Sequence, residues 1–251
     1  MSLRDDAILA LLRQHGKVQV EDLARGLNLT PQTIRKDLRR LEDAGQVTRF
    51  HGGASLRSSL GYVDYEIRRG LAARAKAAIG RAAAERLPKA ATVFINAGTT
   101  TEAAARALDS VAKLTVITDN VQIANIIRIF PGITTIVTGG QVRPADGAVV
   151  GAAAVSFLDQ FRADYALIGA AAVAADGTLT DFDLDEALVA RAMIRNAERV
   201  MVLADSTKFA ASAPVRIGDL SRADTLITDA PSPATRDLCA RAEVELVEVS
   251  P

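Results

Sequence analysis

Tryptophan is absent from the 251-residue chain, and aromatic residues of all kinds make up 4% of it. That disfavours nucleic-acid binding by stacking bases on aromatic platforms. The single cysteine, Cys239, excludes an internal disulfide and implies a reducing compartment; it reads as an inert helix residue. With only two histidines and no Cys/His cluster of zinc spacing, neither a metal nor a cofactor is expected. No sign of charge is in surplus, since 30 Lys+Arg balance 30 Asp+Glu. No apolar run reaches the roughly 18 residues of a membrane-spanning helix. The opening MSLRDDAILALL carries acidic residues and lacks the layout of a signal peptide. A cytoplasmic, soluble protein with no membrane partner is the expectation. Its length and its 49% apolar share suffice for one or two domains with a sizeable core.

Against this neutral background, residues 30–53 (TPQTIRKDLRRLEDAGQVTRFHGG) stand out. Thr30 is a good N-cap, and Pro31 occupies the first helical position, where its missing N–H costs nothing. Leu29 and Ile34 are spaced as a hydrophobic staple across that cap. Ile34, Leu38 and Leu41 recur at helical spacing, and Gly45 suits the C′ position. Gln32, Lys36 and Arg39 then project away from the buried stripe, flanked by Thr33, Arg35 and Arg40. A solvated amphipathic helix has the same pattern. The preceding segments favour a recognition helix, because residues 4–15 and 20–27 read as two shorter helices and Asn28–Leu29 as a tight turn. That succession is a helix-turn-helix, which presents the start of its second element to base edges in the major groove. Residues 46–50 alternate like a small hairpin, and His51, Gly52 and Gly53 free the backbone at its tip. A winged variant follows, with Arg49, His51 and Gly52 along phosphates. Residues 1–57 hold ten Lys+Arg against seven Asp+Glu, a modest excess concentrated on this helix and its wing.

Residues 54–64 show no period and read as a linker; residues 65–86 read as one Ala-rich helix carrying Arg68, Arg69, Arg74 and Lys76. Those charges suit a solvated face, or Lys76 reaches an anion in the following domain. From residue 91, buried runs alternate with helices: TVFIN, LTVIT, ITTIVT, YALIG, VMVLA, TLIT and a last run over 244–249. Continuous apolar strands separated by helices imply a mainly parallel sheet covered on both faces.

Ligands of such sheets gather at the carboxyl ends of the strands. There the chain places Asn96, Gly98, Thr99, Thr100 and Thr101, then Asp119 and Asn120, then Gly139 and Gly140, and, at what reads as a neighbouring strand end, Lys208. The Gly98–Thr101 turn offers successive N–H groups at a helix start and three hydroxyls, an arrangement suited to an anion. A helix cap with no ligand reads the same way, and Lys208 reads equally as a surface lysine. Arg143 lies in a Pro/Gly-containing loop that either closes over a ligand or is plain surface.

TIRKDLRRLEDAG followed by RFHGGA resembles the amino-terminal signature of the DeoR family of bacterial repressors. NAGTTTEAAARAL, TVITDN, TGG, GTLTDFDLDEA, DSTKF and LITD resemble that family's sensor domain. The resemblance implies a winged helix-turn-helix over residues 1–57, a linker and connecting-helix start over 58–75, and a sensor domain over 76–251. It further implies that the sensor is similar in fold to ribose-5-phosphate isomerases and binds a phosphorylated sugar or polyol. Gly98, Thr99, Thr100 and Lys208 would hold the phosphate, and Asp119, Asn120, Asp181 and Glu186 would be hydroxyl partners. Within the family, TPQTIRKDL, RPADGAVVG, TDFDLDEA and TDAPSP point to glycerol 3-phosphate as effector. The expected partners are double-stranded operator DNA, that effector, and further copies of the chain as dimer or tetramer. Catalysis is the competing reading. Aldose–ketose isomerisation needs a carboxylate base, yet YALIG runs on into Ala170, Ala171, Ala172 and Val173 with no ionisable group.

Overall fold

The computed structural model describes residues 3–15, 17–44, 46–50, 52–56, 65–111 and 113–251. Gly45, His51 and residues 57–64 of the expected linker lie outside these described residues. The chain divides into two units, 1–68 and 69–251.

The first unit runs α1 (Leu3–His15), β1 (Lys17–Gln19), α2 (Val20–Gly26), α3 (Pro31–Asp43), β2 (Val47–Phe50) and β3 (Gly53–Leu56). Ile8, Leu9 and Leu12 of α1 meet Leu23 of α2 and Ile34, Leu38 and Leu41 of α3 in one buried cluster. Thr30 caps α3, its hydroxyl accepting the Thr33 N–H at 3.2 Å, with Pro31 in the first turn. Asn28, at φ +53°, makes the sharp turn between the two helices. The wing is an antiparallel three-stranded sheet in the order β1-β3-β2. Its outermost strand β1, three residues long, was not expected. Gly53 is required there: a Cβ would stand 2.5 Å from the Val18 carbonyl oxygen and 2.6 Å from the Phe50 ring.

The helix expected over 65–86 is two helices, α4 (Tyr65–Gly70) and α5 (Ala73–Glu85). Gly70 weakens the helix end, Ala72 turns left-handed at φ +51°, and the Leu71 carbonyl accepts from Lys76 Nζ at 2.7 Å instead of continuing a ladder.

In the second unit the chain continues β4 (Thr92–Ile95), α6 (Thr99–Arg106), β5 (Leu114–Thr118), α7 (Val121–Ile127), β6 (Ile133–Val137), β7 (Gln141–Val142), β8 (Val149–Val150), α8 (Ala152–Leu158) and β9 (Ala163–Gly169). It then forms β10 (Ala172–Val173), β11 (Thr178–Asp181), α9 (Leu184–Arg195), β12 (Ala197–Leu203), β13 (Val215–Asp219), β14 (Thr225–Asp229), α10 (Pro233–Ala242) and β15 (Glu245–Val249). Seven strands make one parallel sheet, ordered β15-β14-β12-β9-β4-β5-β6. Side chains alternate between its faces, so Val93 and Ile95 pack under α5, α6 and α7, while Phe94 joins the cluster of α8, α9 and α10. Helices α5 and α6 approach so closely at Gly80 that a Cβ would lie 2.6 Å from the Ala103 carbonyl. Two antiparallel additions, the β7–β8 hairpin and the small sheet β10-β11-β13, frame the carboxyl edge of the large sheet. No described helix is long and apolar enough to cross a membrane.

Candidate functional site

On α3 of the first unit, Gln32, Lys36 and Arg39 are exposed, as are Thr30, Arg35 and Arg40, and Thr33 is half-buried. The basic side chains differ in what they already hold. Arg35 pairs with Glu21 at 3.2 Å, and Arg49 of the wing with Glu42 at 3.2 Å. Arg40 pairs with Asp5 and, at 3.2 Å, with Asp37, whose other oxygen meets Arg4 at 2.7 Å. Asp5 and Asp37 are buried, so this cluster ties α1 to α3. Nothing in the helical pattern separated these ion-paired arginines from the others. Lys36 and Arg39 carry no ion pair among the described residues, and their charge faces solvent. Gly52, at φ +88°, shapes the wing tip and its carbonyl accepts the Val20 N–H at 2.7 Å.

In the second unit, β4 delivers the chain through Asn96, Ala97 and Gly98 into α6. The N-cap Gly98 offers no side chain, so the first N–H groups of α6 point outward from a helix start. Thr99 and Thr100 are buried beside them. The side chains of two residues expected to serve an effector are engaged within the scaffold. Asn96 clamps β4 to β9, donating to the Gly169 carbonyl at 3.0 Å and accepting its N–H at 2.8 Å. Thr101 Oγ1 donates to the Asn96 carbonyl at 2.7 Å and also lies 2.9 Å from that of Gly98. Asn120, a third, caps α7 through the Gln122 and Ile123 N–H groups and donates to the Asp146 carbonyl at 3.1 Å. Gly140, at φ +146°, opens the β7–β8 hairpin, where a Cβ would come within 2.9 Å of the Val150 carbonyl; Gly139 beside it is exposed.

Lys208 does not stand at a neighbouring strand end. It lies in the turn after β12, and β9 separates β12 from β4. Adjacent strands are about 4.8 Å apart, so roughly 10 Å separates the two strand ends. Lys76 is buried, with Nζ 3.9 Å from Asp205 of that same turn.

The remaining polar groups gather around Arg143. Its guanidinium pairs with Asp146 at 2.7 Å, with Asp183 at 3.2 Å and with Glu186, joining the β7–β8 loop to the start of α9. Asp183 also caps α9, accepting the Glu186 N–H at 3.0 Å, a signal that the Asp-x-x-Glu spacing carries. Burial raises the Glu186 carboxyl to about 7; the Asp181 charge adds to this and Arg143 opposes it. Asp181 itself is buried and accepts the Phe182 N–H at 2.6 Å. Asp119, at the end of β5, is 0% exposed, and no donor meets either of its carboxyl oxygens at hydrogen-bonding geometry. Burial, reinforced by Glu186, holds its proton well above the usual carboxylate range; the nearby Ala97 and Asp119 amides and Arg143 offset this only in part. Among the described residues no His, Cys, Asp or Glu group has the geometry to hold a metal ion.

Comparison with known proteins matches two families along the chain: the DeoR-like helix-turn-helix domain over residues 4–60 and the DeoR C terminal sensor domain over residues 71–230. The chain is 37% identical over 232 residues to the glycerol-3-phosphate regulon repressor of Escherichia coli, covering 92% of each protein. It is 37% identical over 246 residues to the HTH-type transcriptional repressor CsqR of Escherichia coli, covering 98% of this chain and 94% of that one. Among solved structures, ribose 5-phosphate isomerase A of Methanocaldococcus jannaschii aligns over 53% of each chain at 15% identity, with a TM-score of 0.39.

Proposed function

The chain belongs to the DeoR family, and from that premise we propose that it is a DNA-binding transcriptional repressor of polyol or carbohydrate catabolism genes whose operator affinity is set by glycerol 3-phosphate. One observation carries the reading: a single alignment, 37% identical, spans both units and 92% of a repressor named for the glycerol-3-phosphate regulon. The first unit supplies the reading helix, with Lys36 and Arg39 available to phosphates. The second supplies the sensor. The phosphate seats on the first turn of α6 at Gly98, Thr99 and Thr100, with Lys208 reaching toward it, and the carbinol hydroxyls face Asp119, Asp181 and Glu186. Charged hydrogen bonds contribute roughly 1.5–3 kcal/mol each, so the phosphate supplies most of the affinity. The effector then shifts the equilibrium between two arrangements by its differential affinity for them. The repressor works in the cytoplasm as a dimer or tetramer, because helix-turn-helix proteins commonly read paired half-sites; a monomeric mass by sedimentation in the presence of operator refutes this.

Calorimetry on the purified protein tests the effector. Glycerol 3-phosphate binds, glycerol does not, and Thr99→Val or Lys208→Ala severely weakens the phosphorylated ligand. Equal affinity for glycerol and its phosphate removes the phosphate site from this reading. A preference for a pentose or hexose phosphate keeps the site and replaces the effector. The same protein leaves ribose 5-phosphate unchanged, since the turn Ala170–Val173 after Gly169 carries no carboxylate; turnover abolished by Glu186→Gln would establish an enzyme instead.

A further inference from the structure

The seven-stranded sheet of the second unit ends in two unlike edges, β15 on one side and β6 on the other. An edge strand offers backbone N–H and C=O groups to any strand that can lie beside it. Proteins that stay apart blunt such edges with charge, proline or a bulge. β15 (ELVEV) is blunted by charge: Glu245 and Glu248 are exposed, and Glu248 pairs with Arg236 of α10. β6 (ITTIV) has none of these devices. It carries no charged residue and no proline, and its register with β5 is unbroken over all five residues. Among the described residues no strand pairs with its outer side. The Thr138 N–H, at the end of β6, donates to the Thr118 carbonyl at 3.0 Å. A parallel ladder uses alternate residues, so Thr134 and Ile136 also bond toward β5, and the backbone groups of Thr135 and Val137 point outward. Apolar side chains flank the same edge. Of six large apolar side chains exposed among the described residues, three lie here: Ile129 in the turn leading into β6, Val137 on it, and Val142 on β7 just past it.

We propose that β6 pairs antiparallel with β6 of a second copy of this chain across a two-fold axis, so that one sheet runs through two sensor domains. This rests on the reading above that the repressor is a dimer or tetramer, and names the surface that builds it. The chemistry of the edge selects its own copy as occupant. A two-fold contact brings a strand against itself, so any charge on it would meet its like. β6 has none, and its Thr, Ile and Val side chains suit a strand and its cross-strand pairs. Two strands of this length, about 17 Å, hide less than the roughly 800 Å² per partner of a standard stable interface. The flanks supply the rest. Antiparallel pairing sets the Ile129 end of each copy against the Val142 end of the other, so the exposed apolar groups cover one another. With the axis normal to the sheet, the face that α7 covers continues from one copy into the next.

Sedimentation equilibrium of the full chain, free and with operator, tests the edge. Thr134→Lys/Val137→Lys places two cations on exposed positions of β6, and Thr134→Glu/Val137→Glu places two anions there. Each variant alone is expected at half the wild-type mass, with its circular dichroism and Tm close to wild type. An equimolar mixture of the two should recover the wild-type mass, because opposite charges then face each other. A wild-type dimer or tetramer whose mass both variants retain overturns the inference and leaves the repressor reading standing. Halved masses that mixing does not restore overturn it as well, by tracing the loss to something other than contact between two edges. A wild-type chain that is monomeric both free and on operator removes the oligomer reading, and this inference with it.

Discussion

Replacing Lys36 and Arg39 together by alanine separates the cations that face solvent from those the fold consumes. Neither side chain is tied into an ion pair among the described residues, whereas Arg40 is held by Asp5 and Asp37. Deleting one cation that neutralises a DNA phosphate lowers the slope of log affinity against log salt by about 0.9. Deleting two per chain lowers it by about 1.8. Over a fourfold rise in salt, from about 50 to about 200 mM, that slope is worth roughly 12-fold in affinity. Wild-type protein should therefore lose about 12-fold more operator affinity across this range than Lys36→Ala/Arg39→Ala for each chain seated on the operator, roughly 150-fold for a dimer. Arg40→Ala should behave differently. Its slope should stay within a few tenths of wild type, while the first unit loses roughly 1–3 kcal/mol because buried Asp5 and Asp37 surrender a partner. Fluorescence anisotropy with labelled operator at graded salt, beside urea unfolding, measures both quantities. A double variant with unchanged slope, or an Arg40→Ala slope that falls as far as the double variant's, would refute this division of labour.

Gly80→Ala tests the close approach of α5 and α6. Helix propensity alone favours alanine by up to about 1 kcal/mol. The added Cβ, however, would lie 2.6 Å from backbone atoms of Ala103 and 2.7 Å from the Ala104 nitrogen, so the helices must part. Net destabilisation of roughly 1–3 kcal/mol is expected in thermal unfolding, and an unchanged or raised Tm contradicts it. Glu186 makes stability depend on pH in a defined sense. Its carboxyl rises from an ordinary 4.5 to about 7 in the folded chain, so the native state keeps a proton that the unfolded state releases. The stabilisation is complete below about pH 4.5 and is lost as pH rises through about 7, a loss of roughly 3 kcal/mol at most. The stability of wild type minus that of Glu186→Gln should fall over this window; a pH-independent difference refutes the shift.

What the sequence disclosed and what it withheld divide along a physical line. The cap at Thr30, the Pro31 start and the apolar spacing of α3 are local patterns, and they locate the helix to the residue at its amino end. LTVIT likewise matches β5 residue for residue, because a strand buried on both faces must be a continuous apolar run. Short elements carry too few residues for a period to show: β1 has three and β10 two, and both take their conformation from partners elsewhere in the chain. The break at Ala72 escaped for the opposite reason, since an Ala-rich stretch is good helix on either side, and only the capture of the Leu71 carbonyl by Lys76 marks it. In the candidate site, residue type was legible and residue role was not. Asn96, Thr101 and Asn120 are the polar residues that a ligand would want, and also those that a strand end needs to satisfy its own backbone. The scaffold uses the side chains of all three. Arg143 and Glu186 lie 43 positions apart, and no local pattern announces their pairing. Asp119 is the limiting case. In Thr-Asp-Asn it reads as a strand-end residue offered to a ligand, and its burial depends on how β4, β5 and α9 converge upon it.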